Sequence, residues 1–296
     1  MGTEIGELGD HDEIQSEMMS EMCLVVDNQD NVIGSETKHA CHRGRGIRHR
    51  AFSVLIFDSK GRLLIQKRSA EKITFPGVWA NSCCSHPLDM ESENDGSHGV
   101  ENAARRKLDQ ELGIPVGITE TWSFHHIGRM EYSCRWDKDW IEREIDHIMV
   151  VQADTEVDPN ENEISEVLWA EPLEIGRMMS GKGDWGDEVV APWFRLIWEK
   201  FATPHDCDPT AMKSSINKEI IYCGEVDMDG DSVIPGQALM DALSDHRDRV
   251  EREIMHSLGK MEQNNLHGAM THLFKGGGKR LRAILPRLVG EALGGA

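Results

Sequence analysis

The stretch "AFSVLIFDSKGRLLIQKRS", residues 51–69, carries the clearest structural signal in the chain. Two apolar runs flank a polar turn at Asp58–Gly61, which is the pattern of a β-hairpin. Upstream, "CLVVDNQDNVIG" (23–34) repeats the order strand, polar turn, strand. Downstream, "REIDHIMVVQAD" (143–154) has the mostly apolar body of a further strand. The centre of the chain is therefore rich in strands.

Two segments around these strands have helical periodicity. In "GVENAARRKLDQELGI" (99–114), Ala103, Ala104, Leu108 and Leu112 recur at helical spacing. A glycine at the end of such a run is a typical helix C-cap. "APWFRLIWEKFA" (191–202) predicts an amphipathic helix. Hairpins, a helix, more strands and a closing helix together predict an α/β or α+β sandwich, with a mixed sheet between helices.

Changes in composition along the chain predict four segments. Residues 1–21 form an acidic lead with some helical character, and residues 22–202 hold the sandwich. Residues 203–236 are polar and interrupted by proline and glycine, which is typical of a linker. Residues 237–296 regain a helical period and predict a short all-α fragment.

Composition and charge exclude several classes of function. With 296 residues, 39% hydrophobic and 28% charged, the chain is typical of a soluble globular protein. No apolar run approaches the roughly 20 residues of a membrane span. A net charge of −20 argues against a nucleic-acid partner, because phosphate contacts need clustered cations. Seven cysteines at irregular spacing, with no export signal at the start, favour reduced thiols in the cytoplasm.

The stretch "NSCCSHPL" (81–88) places two cysteines beside a histidine. By itself it suits half of a disulfide framework, part of a metal site or a catalytic thiol. Further hard ligands precede and follow it: His42 and His49 before a strand, and Glu142 and Glu144 at i, i+2, where a strand directs both to one face. Together with His86 they would suit zinc, manganese or iron. Chance clustering among fourteen histidines, and cysteines acting as small buried hydrophobes, stay open as alternatives.

The helix segment "RRKLDQELG" (105–113) resembles the Nudix box, which binds a metal–diphosphate complex. Lys107 and Gln110 stand where the box has glutamates, and Glu111 remains. Diphosphate hydrolysis is disfavoured because that reaction needs more acids on this helix. Without the resemblance, the segment is a solvated charged helix face.

Taken together, "HRAFSVLIFDSKGRLLIQKRSAEKITFPGVWANSCCSHPL", "RRKLDQELG" and "EIDHIM" resemble type 1 isopentenyl diphosphate isomerases of the Nudix superfamily, over about residues 22–202. The resemblance implies that Cys84 is the reactive thiol and that Cys83 packs beside it. It implies one tightly bound Mn²⁺ or Zn²⁺, and Mg²⁺ held between the substrate diphosphate and Glu111. The implied ligands of the tight metal are His42, His49, His86, Glu142 and Glu144; the implied substrate-binding residues are Lys38, Arg68, Lys72, Lys107 and Trp193.

The implied reaction explains these residue types. Moving the double bond adds one proton and removes another through a tertiary carbocation, so an acid and a base must face each other. Cys84 and Glu144 would form that pair, and Tyr132 would assist. We expect Glu144 and Tyr132 to deliver the proton and Cys84 to remove one, although the direction stays open. The alternatives are a Nudix diphosphohydrolase and a non-catalytic module that binds isoprenoid diphosphates.

The end of the chain carries a second resemblance. "HGAMTHLFKGGGKRLRAILPRLVGEALGG" (267–295) is similar to the beginning of a trans-polyprenyl diphosphate synthase. The resemblance implies a diphosphate site at Lys279 and Arg282 and points to a downstream prenyl synthase as a partner. The aspartate-rich motifs of those synthases do not occur in this sequence, so we expect no synthase activity from the fragment.

Overall fold

A curled mixed sheet organises the part of the chain that the computed structural model describes, namely residues 11–181, 185–186, 188–231 and 233. In chain order, its strands are β1 Met22–Val26, β2 Val32–Thr37, β3 His49–Phe57, β4 Leu63–Arg68, β5 Trp79–Ala80, β6 Cys83–Ser85, β7 His125–Arg135, β8 Ile141–Gln152, β9 Ile164–Ala170 and β10 Ile220–Val226. Along the main path the order is β10, β7, β8, β3, β1, β2. This arrangement confirms the predicted strands.

The hairpin predicted at residues 51–69 begins as expected and then opens. β3 and β4 pair at Phe57 and Leu63, across a turn in which Asp58 accepts hydrogen bonds from two backbone amides. β4 then leaves β3 and pairs with β5 and β9. β3 pairs along its whole length with β8 in parallel, and with the short strand β6 on its other side. The opening between β3 and β4 creates room for a cavity over the sheet.

Helices cover both faces of the sheet. Their bounds are α1 Glu13–Met18, α2 Lys38–His42, α3 Gly96–Leu112, α4 Val116–Thr119, α5 Pro172–Met179, α6 Pro192–Ile197 and α7 Pro209–Ser214. A π-helical turn, Trp198–Ala202, and a 3₁₀ turn, Thr203–His205, follow α6. The helix predicted at 191–202 is therefore α6 extended by a wider turn.

Side chains alternate across the sheet and build two cores. Leu55 of β3 and Ile148 of β8 pack with Phe194 of α6 on one face. Val54 and Met149 belong to the core of the other face, which includes α3 residues. A mixed sheet between helical layers confirms the predicted sandwich.

The folded unit extends beyond residue 202, where the sequence placed the start of a linker. α7 lies in that segment, and β10 adds a parallel strand to β7, with Ile220 opposite Arg129 and Val226 opposite Cys134. The chain divides into the units Met1–Val233 and Ile234–Ala296. The predicted all-α fragment lies outside the described residues. Within the described residues, no helix combines the length and apolar character needed to cross a membrane.

Candidate active site and metal centre

Five potential metal ligands come together at one end of the sheet. α2 ends at His42, β3 begins at His49, and His86 follows β6 directly. Glu142 and Glu144 lie on one face of β8, and Glu144 is the register partner of His49. One ligand atom from each residue lies within 4.8 Å of every other. The structure thus brings together the ligand set that the sequence predicted.

Backbone hydrogen bonds orient two of these imidazoles toward the cluster. His42 Nδ1 lies 2.7 Å from the Lys38 carbonyl oxygen, and His49 Nδ1 lies 2.7 Å from that of Ile47. A neutral ring that donates from Nδ1 presents an unprotonated Nε2, which is the usual state of a metal-ligating histidine.

The Nε2 atoms of all three histidines face carboxylate oxygens, and that of His49 lies 3.5 Å from Glu144 Oε1. His42 Nε2 lies 2.8 Å from Glu142 Oε2, and His86 Nε2 lies 2.7 Å from Glu144 Oε1. Despite these short distances, His49 Nε2 and Glu142 Oε2 are buried and form no well-aligned hydrogen bond. An Nε2 lone pair beside a carboxylate oxygen is stabilised when both bind the same cation, so this arrangement fits a divalent metal.

Electrostatics inside the cluster agree with this geometry. Burial opposes charge on His49, but the nearby Glu144 carboxylate raises its pKa to about 9, which means that this position favours a positive charge. Burial lowers the pKa of His86, and the neighbouring imidazoles add to this effect. Burial also opposes charge on Glu142 and Glu144, yet the histidines hold both carboxyl pKa values below their ordinary range. Both acids are therefore carboxylates available to a metal.

A thiol and a phenol–carboxylate pair lie in the same cavity. Tyr132 Oη donates a hydrogen bond of 2.6 Å to Glu144 Oε2, and burial raises the pKa of Tyr132 so that it stays protonated. Cys84 is contributed by β6, on the other side of β3 from Glu144. Burial raises the pKa of Cys84 to about 12, against the lowering effect of Arg68, whose Nη1 lies 4.0 Å from the sulfur.

The cavity encloses about 590 Å³ of space, part of it open to solvent. It is lined by nearly all the site residues that the sequence predicted, and His49 lies just behind them in the cluster. The predicted residues in its wall are Lys38, His42, Arg68, Lys72, Cys84, His86, Lys107, Glu111, Tyr132, Glu142, Glu144 and Trp193. Lys279 and Arg282, predicted for the tail, lie outside the described residues.

Two of the predicted phosphate-binding lysines are already ion-paired. Lys107 Nζ lies 3.0 Å from Glu111 Oε1, and Lys72 pairs with Glu163. Arg68 is held instead by two backbone carbonyls, those of Thr74 and Phe75. Because no carboxylate pairs with it among these contacts, the positive charge of Arg68 is less neutralised at the cavity wall than that of either lysine.

An aromatic wall closes the cavity near Arg68. The guanidinium carbon of Arg68 lies 5.6 Å from the ring centroid of Trp193, within range of a cation–π contact. Phe75 packs edge-on against the same ring at 5.1 Å. The buried indole Nε1 of Trp193 has no hydrogen-bond partner, so it is a donor available to a ligand.

The structure adds residues that sequence reasoning missed. Asp146 lines the cavity, accepts a 2.9 Å hydrogen bond from Ser53 Oγ, and has a pKa raised well above the ordinary value by burial. It continues the alternation of Glu142 and Glu144, so the strand period could have found it. Gln15 also lines the cavity and donates 3.0 Å to Glu163 Oε1. No local signal marks Gln15, because its partners lie more than 100 residues away.

The sheet between helical layers, with Glu111 near the end of α3 facing the cavity, places the chain in the Nudix class of folds, and the family model for the NUDIX domain matches residues 47–194. Among curated proteins, isopentenyl-diphosphate Delta-isomerase 1 of Bos taurus is 41% identical over 198 residues, which cover 65% of this chain and 87% of the relative. Isopentenyl-diphosphate Delta-isomerase I of Camptotheca acuminata is 41% identical over 200 residues, 64% of this chain and 85% of the relative. The chloroplastic isomerase I of Arabidopsis thaliana is 42% identical and is covered over 68% of its length. The chain therefore belongs to the isopentenyl-diphosphate Delta-isomerase family of NUDIX-domain proteins.

Proposed function

We propose that this chain interconverts isopentenyl diphosphate and dimethylallyl diphosphate. The named relatives support this activity. The observation that carries it is chemical: one cavity contains the Cys84 thiol and the Glu144 carboxylate with its Tyr132 hydrogen bond. Such a pair can place one proton on a substrate and remove another without any change in the diphosphate.

The proposed reaction adds a proton to the terminal alkene carbon C4 of isopentenyl diphosphate and generates a tertiary cation at C3. Loss of a proton from C2 then forms the new double bond. One of Cys84 and Glu144 donates the first proton, and the other accepts the second. Because the reaction is reversible, each group acts as the acid in one direction and as the base in the other. Tyr132 positions the Glu144 carboxylate and stays protonated.

His42, His49, His86, Glu142 and Glu144 would hold a tightly bound divalent metal, and we propose Mn²⁺ or Zn²⁺ because nitrogen and oxygen donors are mixed there. When bound, this ion supplies a fixed positive charge beside the Glu144 carboxylate. A second ion, Mg²⁺, would accompany the substrate diphosphate near Glu111. The ion pairs of Lys107 with Glu111 and of Lys72 with Glu163 hold both lysines at the cavity wall.

Substrate orientation follows from where the charges lie. Lys38, Arg68, Lys72 and Lys107 line the cavity and would bind the diphosphate. Of these, Arg68 offers the strongest anchor, because it is fixed by backbone carbonyls and a guanidinium forms paired hydrogen bonds with phosphate oxygens. Trp193 would then lie beside the hydrocarbon end, where its ring stabilises a cation and excludes water.

Hydrolysis of the diphosphate is the alternative reaction for a protein of this fold. Hydrolysis needs several acids on α3 to hold metal ions around the attacked phosphorus, and here Glu111 is accompanied by Lys107 and Gln110. Glu111 is moreover ion-paired with Lys107. The site therefore lacks the acidic helix face that hydrolysis requires, while it has a thiol that hydrolysis does not need.

The test is incubation of the full chain with isopentenyl diphosphate, Mn²⁺ and Mg²⁺, followed by ³¹P and ¹H NMR. Isomerisation converts the terminal alkene signals to two methyl signals while the diphosphate pattern persists. Release of inorganic phosphate or of a monophosphate would instead assign a hydrolase. Binding without any conversion would assign a module that only holds the substrate.

Two further proposals rest on sequence alone. The tail 237–296 would be a fragment related to polyprenyl synthases, in which Lys279 and Arg282 bind a diphosphate and bring the isomerase close to a downstream prenyl synthase. A cytoplasmic location would suit the seven cysteines, all of which are free thiols in the structure. Subcellular fractionation tests the location, and co-purification with a prenyl synthase tests the partner.

A further inference from the structure

A second pocket lies on the opposite face of the sheet from the metal centre. Side chains alternate along a strand, so Arg50 of β3 faces away from its neighbour His49, and His147 of β8 faces away from Asp146. Both line a pocket with about 1020 Å³ of space that is partly open to solvent. None of its residues belongs to the site described above.

A buried aspartate organises this pocket. Asp30 is 8% exposed and adopts a left-handed backbone conformation, φ +67°. Its carboxylate accepts hydrogen bonds from Arg50 Nε at 2.8 Å, from Arg129 Nη1 at 3.0 Å, and from His147 Nε2 at 2.8 Å. These contacts hold the pKa of Asp30 below its usual value, although burial opposes this. One anion is therefore shared among three donors.

Positive charge remains in excess after this pairing. Arg50, Arg129 and Lys218 line the pocket against the single carboxylate of Asp30, while burial lowers the pKa of both His126 and His147 and favours their neutral forms. Besides Asp30, Glu101 lies 3.2 Å from His126, but it does not line the pocket. A local cationic excess stands out in a chain with a net charge of −20.

One of these cations has an unmet hydrogen-bonding need. Arg50 is 4% exposed, and its Nη1 has no hydrogen-bond partner although Nε and Nη2 are both bonded to Asp30. Leaving a buried charged donor unpaired is unfavourable. An acceptor that entered the pocket would remove this penalty.

The N-terminus of α3 contributes a second attraction for an anion. Gly96 and Ser97, which begin this helix of 17 residues, line the same pocket. The N-cap residue Asp95 makes no side-chain capping hydrogen bond. The first amides of a helix are unsatisfied by the helix itself and carry partial positive charge, which favours phosphate groups.

We propose that this pocket, defined by Arg50, Arg129, Lys218 and the start of α3, binds a phosphate group. The phosphate belongs either to the inorganic ion or to a small phosphate ester, since the recognising chemistry is the same. Arg50 is adjacent to His49, and His147 shares β8 with Glu144. A phosphate bound in this pocket would therefore contact the same two strands that position the metal ligands. The site is separate from the proposed isomerase centre and does not depend on it.

The test is NMR of the full chain with ¹⁵N-labelled histidine, titrated with inorganic phosphate at constant ionic strength. His126 and His147 report on this pocket, and His42, His49 and His86 report separately on the metal centre. We expect saturable shifts of the first two. In Lys218→Gln, loss of one cation should raise the dissociation constant for phosphate about tenfold.

Lys213→Gln is the matched control, since Lys213 is a half-buried lysine of α7 whose side chain donates to Gln152 outside this pocket. It should bind phosphate as the unmodified chain does. A second titration with glycerol 3-phosphate separates the sources: saturation by phosphate alone assigns the inorganic ion, and saturation by the ester assigns an ester site. Absence of saturable shifts at His126 and His147 with both probes, or equal affinity in Lys218→Gln and Lys213→Gln, would overturn the proposal.

Discussion

Cys83 and Cys84 are adjacent in sequence and lie on opposite faces of the sheet. Cys83 is fully buried in the core beside α3, whereas Cys84 lines the cavity. Strand alternation alone produces this difference, because successive side chains of β6 point in opposite directions. The structure thus provides a physical basis for expecting chemistry from the second thiol.

Replacement of Cys84 by alanine tests that expectation. Removing one member of an acid–base pair should lower kcat by roughly 10²–10⁴-fold, since that is the usual contribution of a positioned proton-transfer group. The KM should change little, because the thiol is not a diphosphate contact. Steady-state kinetics measure both. Cys223→Ala, at a half-buried thiol of β10, is the control and should keep full turnover; equal turnover in both variants would remove Cys84 from the mechanism.

Asp30 supports a prediction about stability and pH. Its folded-state pKa lies below the ordinary 3.8, so its stabilising effect is fully present above that value and is lost as the pH falls through the lower, folded-state pKa. Asp30→Asn leaves Arg50 buried beside a neutral partner and should cost about 3 kcal/mol at pH 7. Urea unfolding measures the difference, which should shrink as the pH falls below 3.8.

The control for this variant is Asp139→Asn, at an exposed residue 3.7 Å from Arg43. An exposed pair contributes less than about 1 kcal/mol, so its unfolding free energy should barely change. A cost in Asp30→Asn that did not decrease at any pH below 3.8 would show that charge on Asp30 does not stabilise the fold.

At the residue scale, the candidate metal ligands could be predicted from the sequence, but the buried contacts elsewhere in the fold could not. His42, His49 and His86 have side-chain chemistry that marks them, and Glu142 and Glu144 share a strand face. Asp30 gave no signal, because its partners Arg50, Arg129 and His147 lie 20, 99 and 117 residues further along the chain. Such contacts are created by the fold and leave no local pattern.

At the scale of elements, α3 and its termination were predicted closely from the sequence. The helical period over 99–114 appears as Gly96–Leu112, and Gly113 caps it with φ +64°. A Cβ at Gly113 would lie 2.5 Å from the carbonyl oxygen of Asp158, so this glycine also permits close packing. The helix that presents Lys107 and Glu111 to the cavity is therefore held at its end by a position that only glycine suits.

Gly113→Ala should destabilise the protein by about 2 kcal/mol, from strain at positive φ and the clash with Asp158. Gly117→Ala is the matched control, because a Cβ there meets nothing within 4 Å and its φ is not positive. Alanine at that helical position should leave stability unchanged or raise it slightly. Chemical denaturation compares the two; equal unfolding free energies would contradict the role assigned to Gly113.

β10 is the element that sequence reasoning misplaced. Residues 203–236 contain many polar residues, prolines and glycines, which are typical of linkers, yet "IIYCGEV" forms a parallel strand on β7. An edge strand of this kind is stabilised by tertiary pairing rather than by its own pattern. Local composition therefore could not separate it from a loop.

At the scale of the whole molecule, we expect β10 to be part of the smallest fragment of the chain that folds stably. A chain ending at residue 233 keeps β10 and the buried side chains Met212 and Val226, and it should unfold cooperatively and retain isomerase turnover. A chain ending at residue 202 loses them and should have a clearly lower Tm. Calorimetry and turnover of both chains measure this. Equal Tm values would place the boundary at residue 202 instead.

The architecture of the molecule divides its charges between two faces of one sheet. One face holds the five-ligand cluster, the thiol and the cations proposed to bind the diphosphate, and the other holds the Asp30 pocket. The residues of the first face were predicted through the resemblance of their motifs to a known family, since the residue types alone left other readings open. The pocket on the second face was not predicted, because arginines and histidines are common on protein surfaces. They indicate a binding site only when the fold places them close together.

The central claim is that Cys84 and Glu144 exchange protons with the two sides of a five-carbon alkene while its diphosphate remains intact. The most direct measurement is turnover of isopentenyl diphosphate by the full chain in D₂O, with Mn²⁺ and Mg²⁺ present, followed by ¹H, ²H and ³¹P NMR. We expect dimethylallyl diphosphate with deuterium in a methyl group, an unchanged diphosphate, and labelling slower by roughly 10²–10⁴-fold in Cys84→Ala. Release of phosphate, or isomerisation without deuterium incorporation, would contradict the central claim.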